Sequence, residues 1–238
     1  MTPRWAAGVR PLLWAFAALT AVHLGALLAG ATAVAHVTKP ALMPVLACYV
    51  LARGGPALLA GALLFGCGGD TLLQIGGDTV FLLGMASFAA GHVCYLLVFA
   101  RQGERNGAAP ARRGRTAGLA AGYGVLLAGT VALLWPDLPA ELRIPVAGYS
   151  LLLTAMAFGA LRAGLLAAAG GLLFLLSDTL IASSLAHWPQ LPLPQFCIML
   201  TYAAAQFALA TGVLRAAATT AGRPGPRPAP VLPGAGVS

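Results

Sequence analysis

The chain has 238 residues, 59% hydrophobic and 8% charged, with a mean hydropathy of +0.86 and a formal net charge of +8. Soluble domains carry about 25% charged residues, so this composition excludes an ordinary water-soluble globule and is that of an integral membrane protein. The basic excess does not point to nucleic acid: the arginines flank apolar runs, where they act as topology signals and lipid-headgroup contacts.

Eight apolar runs follow in chain order, at 12–34, 37–52, 56–75, 79–100, 117–135, 144–161, 163–186 and 196–214. Most reach the ~20 residues that cross a ~30 Å hydrocarbon core at ~1.5 Å per residue. The first has Arg4 and Arg10 ahead of it and ATAVA near its end, like a secretory signal. It is longer than a signal core, so it is expected to be retained as a helix. The second is short and opens on TKPALMP, where Pro40 and Pro44 predict a kinked or partly re-entrant helix. The loop RQGERNGAAPARRGR at 101–115 is basic and suits anionic lipid.

Starting from a cytoplasmic N-terminus, the segments on the cytoplasmic side hold twelve Lys and Arg, and the other side holds only Lys39 and Arg143. That bias predicts an all-α polytopic membrane helical bundle in the cell membrane, with eight transmembrane helices and both termini cytoplasmic. One domain covers 1–215. The tail at 216–238 is rich in Pro, Gly and Arg and reads as disordered. Cys48, Cys67, Cys94 and Cys197 all lie in apolar runs without CxxC or CxxH spacing, so they read as small buried thiols.

Two carboxylates sit deep in spans. Asp70 lies in GGDTLL on the third run and Asp178 in LSDTLI on the seventh. FAAGH, ending at His92 on the fourth run, is echoed by YAAAQ, ending at Gln206 on the eighth. The two echoes suggest a 4+4 duplication in parallel orientation, with the aspartates facing one another across a central cavity. An aspartate at a helix centre costs about 2.5–3.5 kcal/mol on insertion scales, so both should face a polar interior, and such residues usually serve function.

Around them, His92 is a candidate proton relay, and Ser177 stands next to Asp178. Tyr95, Tyr202 and Gln206 are candidates to orient the polar centre. Lys39, at a span boundary, is a candidate phosphate partner. His23 is expected only to pack, and His36 and His187 to be solvated. The sequence has no G-x-S-x-G, H-E-x-x-H, P-loop or Rossmann glycine pattern, which disfavours a serine hydrolase or zinc protease. No metal and no cofactor are expected.

TKP at 38–40, GGDTLL at 68–73, FAAGHVCY at 88–95, GGLLFLLSDTLIA at 170–182 and YAAAQ at 202–206 together resemble the YhhN / TMEM86 family over nearly the whole chain except the tail. The resemblance implies a lysoplasmalogenase-like activity: hydrolysis of the vinyl ether of a lysophospholipid to a fatty aldehyde and a glycerophospho-base. The family's shared polar positions match Lys39, Asp70, His92, Asp178 and Tyr202, and the implied partners are the lysolipid substrate and membrane lipids.

The chemistry fits carboxyl groups. A vinyl ether yields to protonation at its terminal alkene carbon, and the resulting oxocarbenium ion takes up water. A carboxyl withdrawn from water holds a proton more readily, and a second carboxylate steadies the cation, as in glycosidases. Asp70 is therefore expected as the leading acid/base, with Asp178 as its partner or water-positioning group. A transporter or proton-coupled flippase built on the same aspartates is the alternative, and an inert scaffold is a third reading.

Overall fold

A computed structural model describes residues 6–106 and 113–221 of the protein. Among them there is no strand. The helices are α1 (Ala6–Leu28), α2 (Thr32–Ala52), α3 (Ala57–Ile75), α4 (Asp78–Asn106), α5 (Arg113–Leu134), α6 (Ala140–Gly159), α7 (Leu165–Leu185) and α8 (Pro194–Ala221). A 3₁₀ turn, Ala160–Ala163, follows α6. All eight α-helices are long and apolar enough to span a membrane. Their outward faces carry large apolar side chains such as Trp14, Ile144 and Leu165, the surface that hydrocarbon requires.

The run read as one span over 12–34 is divided. Gly30 adopts φ +68°, and the Ala31 N–H bonds back to the Ala26 carbonyl at 2.8 Å. This is a left-handed helix stop, open to glycine without steric cost. Hydropathy continues unbroken across it, which is why α2 begins earlier than the apolar pattern indicates. α2 itself is one continuous helix despite Pro40 and Pro44. Pro44 has no N–H for the Pro40 carbonyl, and the Cys67 thiol of α3 donates to that carbonyl instead, at 3.1 Å. The neighbouring helix thus satisfies the carbonyl that Pro44 leaves without an N–H.

The loop expected at 101–115 is mostly helical, because α4 runs on to Asn106 and α5 starts at Arg113; 107–112 lie outside the described residues. α8 continues to Ala221 through the helix-favouring AAATTA. Of the expected tail, 222–238 lie outside the described residues.

Consecutive helices joined by short connections pack side by side, with α3 against α4 and α7 against α8 the most extensive pairs. The α7–α8 approach is close: a Cβ on Gly212 would stand 2.6 Å from the Ala167 backbone nitrogen. The first and last four helices meet where α4 packs on α6 and where α8 packs on α1, α2 and α4. Leu42, Met43, Leu59, Leu63, Met156 and Leu209 fill the core. Arg53, Arg101, Arg162 and Arg215 are exposed at one end of the bundle. The α3–α4 and α7–α8 connections lie at the other, called here the distal end.

Candidate active site

Each aspartate is held by a side chain from the helix that precedes its own. Asp70 of α3 is 3% exposed, and its Oδ1 lies 3.5 Å from the Lys39 ammonium of α2. Asp178 of α7 accepts a 2.5 Å hydrogen bond from the hydroxyl of Tyr149, on α6. Both carboxylates sit in the distal half of the bundle.

A polar chain reaches each of them. On the Asp178 side, His92 Nε2 is 3.0 Å from the Tyr149 oxygen. Since Tyr149 gives its single proton to Asp178, His92 donates from Nε2, which fixes the tautomer of the neutral ring. The His92 ring packs edge-on to Phe174, at 4.9 Å between centroids. On the Asp70 side, Tyr95 donates to Gln206 Oε1 at 2.5 Å, and Gln206 Nε2 donates to the Tyr202 oxygen at 3.2 Å. The Tyr202 hydroxyl then faces Asp70. Phe174 and Phe88 both lie edge-on to Tyr202, so an aromatic wall stands between the two chains.

The wall has a consequence. An apolar cavity of about 360 Å³ opens among α4, α5, α6 and α7. Asp178 and Tyr149 line it, with Ser150, Thr154 and Thr179 as further polar points. Asp70 does not line it. The expected hollow shared by both aspartates is therefore a cavity entered by one of them, with the other behind Phe88 and Leu73. The distal end of the cavity is roofed by Leu134, Leu138, Leu142, Val146 and Ala186, with Trp188 packed on them. Trp188 Nε1 donates to Asp137 across this roof, at 2.7 Å.

Lys39, expected at a boundary, lies inside α2 and is paired with Asp70. Ser177 is 1% exposed and donates to the Ile198 carbonyl of α8, so its hydroxyl joins helices and does not face the cavity. His36 and His187 are exposed. His23 is not featureless: it is 1% exposed, with Nδ1 2.8 Å from Thr38 Oγ1. Thr38 donates to the Val34 carbonyl, so His23 is the donor to Thr38. The sequence reading missed Tyr149. Nothing in the local sequence marks it, because its partners His92 and Asp178 come from other helices.

Gly66 keeps the Asp70 chain in place. A Cβ there would lie 2.7 Å from the Tyr202 hydroxyl and 3.2 Å from Gln206 Nε2. Gly66→Ala is expected to displace both and to cost about 1–3 kcal/mol as an overpacked core. A lowered thermal midpoint in detergent, together with reduced activity, is the result to look for. An unchanged midpoint would mean that the space is larger than the geometry allows.

Fold and site together define a class: a multi-pass helical membrane protein with a buried carboxylate centre beside an apolar cavity. The chain belongs to the YhhN family, which it matches over residues 34–213. That match begins inside α2 and leaves out α1. The chain is 35% identical over 162 residues to a protein named lysoplasmalogenase TMEM86B from Homo sapiens, spanning 68% of this chain and 66% of that one. It is 35% identical over 180 residues to the Sus scrofa protein of the same name, spanning 72% of each. It is 32% identical over 185 residues to the Rattus norvegicus one, spanning 74% of this chain and 71% of the relative. No solved structure matches the chain.

Proposed function

We propose that this protein is a lysoplasmalogenase-like hydrolase of the cell membrane, acting on the vinyl ether bond of a lysophospholipid. The observation that carries the reading is Asp178, presented by Tyr149 on the wall of an apolar cavity, in a chain whose relatives bear that enzyme's name. An apolar cavity with a few converging polar groups suits a hydrocarbon chain with one reactive point.

The Asp178 carboxyl gives its proton to the alkene carbon remote from oxygen, and the oxocarbenium ion forms at the carbon bonded to oxygen. Water adds to that carbon, and its proton returns to the Asp178 carboxylate. The resulting hemiacetal collapses: its hydroxyl proton passes to the departing glycerol oxygen, the C–O bond breaks, and an aldehyde and an alcohol leave. One water is consumed and the acid is regenerated. Tyr149 keeps Asp178 Oδ2 occupied, so the other oxygen is the one that meets substrate. His92 orients Tyr149. The ion pair of Asp70 with Lys39 stands behind the aromatic wall and adds to the field at the cation.

The arginine-rich end is assigned to the cytoplasm, with both termini there and the aspartates toward the opposite face. The paired arrangement of Lys39 with Asp70 and Tyr149 with Asp178 fits a 4+4 parallel repeat.

The test uses the purified full chain in detergent micelles, where no second compartment exists. Lysoplasmalogen is expected to yield free fatty aldehyde in step with protein concentration. If none appears while the protein stays folded, the hydrolase reading fails, and transport through the same carboxylates takes its place.

A further inference from the structure

A hydroxyl inside an apolar helix commonly bonds the backbone carbonyl one turn back. Thr20, Thr71, Thr179, Thr201 and Thr211 all do so. Ser150 and Thr154 of α6 do not: neither hydroxyl has a hydrogen-bond partner among the described residues. Both residues line the cavity that Asp178 and Tyr149 line. Thr154 is only 6% exposed, so the cavity is where its hydroxyl finds a partner. Buried polar groups are nearly always hydrogen-bonded, so this pair calls for a ligand.

The spacing selects a small one. Ser150 and Thr154 stand four apart on one face of α6, where Cβ atoms are about 5–6 Å apart. A single oxygen at ~2.8 Å from each hydroxyl bridges that gap. Leu153, Leu172 and Leu176 line the cavity as well, and they offer no counter-ion to a charged group. An apolar cavity stays dry unless a water finds about two to four polar partners in it. Hydrolysis consumes a water, so a cavity suited to a hydrocarbon chain must still hold one. Ser150 directly follows Tyr149, which holds Asp178 Oδ2. The hydroxyls and the holder of the acid are therefore carried by one stretch of helix.

We infer that Ser150 and Thr154 are positioning residues for the water that the reaction consumes, keeping it in the apolar cavity within reach of the cation. The inference rests on the hydrolase reading for the reaction, and it adds the groups that supply the second reactant. Asp178 gives and recovers the proton, and the two hydroxyls present the oxygen.

The test divides the cation between two nucleophiles, in the purified full chain with lysoplasmalogen and methanol in the buffer. The methanol oxygen bonds to the oxocarbenium carbon and its proton passes to the Asp178 carboxylate. No C–O bond breaks, and a mixed acetal forms in place of aldehyde and alcohol. The ratio of acetal to aldehyde does not depend on how fast the alkene is protonated. Thr154→Val, which keeps the shape without the hydroxyl, and Ser150→Ala are each expected to raise that ratio roughly 2- to 10-fold, the worth of one neutral hydrogen bond to the water. KM for the lysolipid is expected to stay the same, because the hydroxyls touch water and not lipid. An unchanged ratio in both variants would overturn the inference, since disturbed packing lowers both products together. A raised KM at constant ratio would assign the hydroxyls to the lipid and overturn it too. If the wild type forms neither aldehyde nor acetal, the hydrolase reading falls instead. A crystal structure of the full chain that resolves water then decides the site: a water between the Ser150 and Thr154 hydroxyls supports it, and a dry wall there overturns it.

Discussion

Asp178→Asn is expected to lower aldehyde release by roughly 10²–10⁴-fold, the range removed with a general acid. The amide has nearly the shape of the carboxyl, and its oxygen can still accept from the Tyr149 hydroxyl, so the fold and the cavity should persist. It cannot supply the proton that the alkene carbon needs. Tyr149→Phe removes the hydroxyl that holds Asp178 Oδ2 and breaks the link to His92. Its loss is expected to be smaller, about 10- to 100-fold, since it forfeits one hydrogen bond that orients the buried carboxyl and not the acid itself. The ordering matters more than either value. Full activity in a well-folded Asp178→Asn protein, with activity lost in Asp70→Asn, would return the acid role to Asp70.

That ordering departs from the roles the sequence suggests, and the reason is physical. Hydropathy shows that Asp70 and Asp178 are both within spans, but it carries no information on which one meets a cavity. That depends on Phe88 and Phe174, whose ring orientations separate the two polar chains. The eight helices were legible because apolar length alone decides whether a segment can cross a bilayer. The stop at Gly30 was not, since a single left-handed residue ends a helix without changing hydropathy. Nor was the partner of the Pro40 carbonyl in α2, a thiol 27 residues away in sequence. Tyr149 stayed hidden for the same reason: a tyrosine in an apolar span looks like packing until its partners, 57 and 29 residues distant, are placed beside it.

Lys39 and Asp70 carry the second large effect, and it falls on stability. Removing one member of a buried ion pair leaves an uncompensated charge and costs roughly 3–5 kcal/mol, whereas replacing both with apolar residues of similar volume is often neutral or stabilising. Lys39 is 16% exposed at its side chain and Asp70 4%, so this pair lies near the buried limit. Lys39→Met and Asp70→Leu are therefore each expected to lower the thermal midpoint in detergent sharply, and the double variant to recover most of the loss. Such non-additivity is the signature of direct coupling. Simple addition of the two losses would mean that each side chain is held by other neighbours. An ion pair kept at this depth, where leucine and methionine would serve the fold as well, is explained by the charge that it places behind the aromatic wall, within the field of the proposed site.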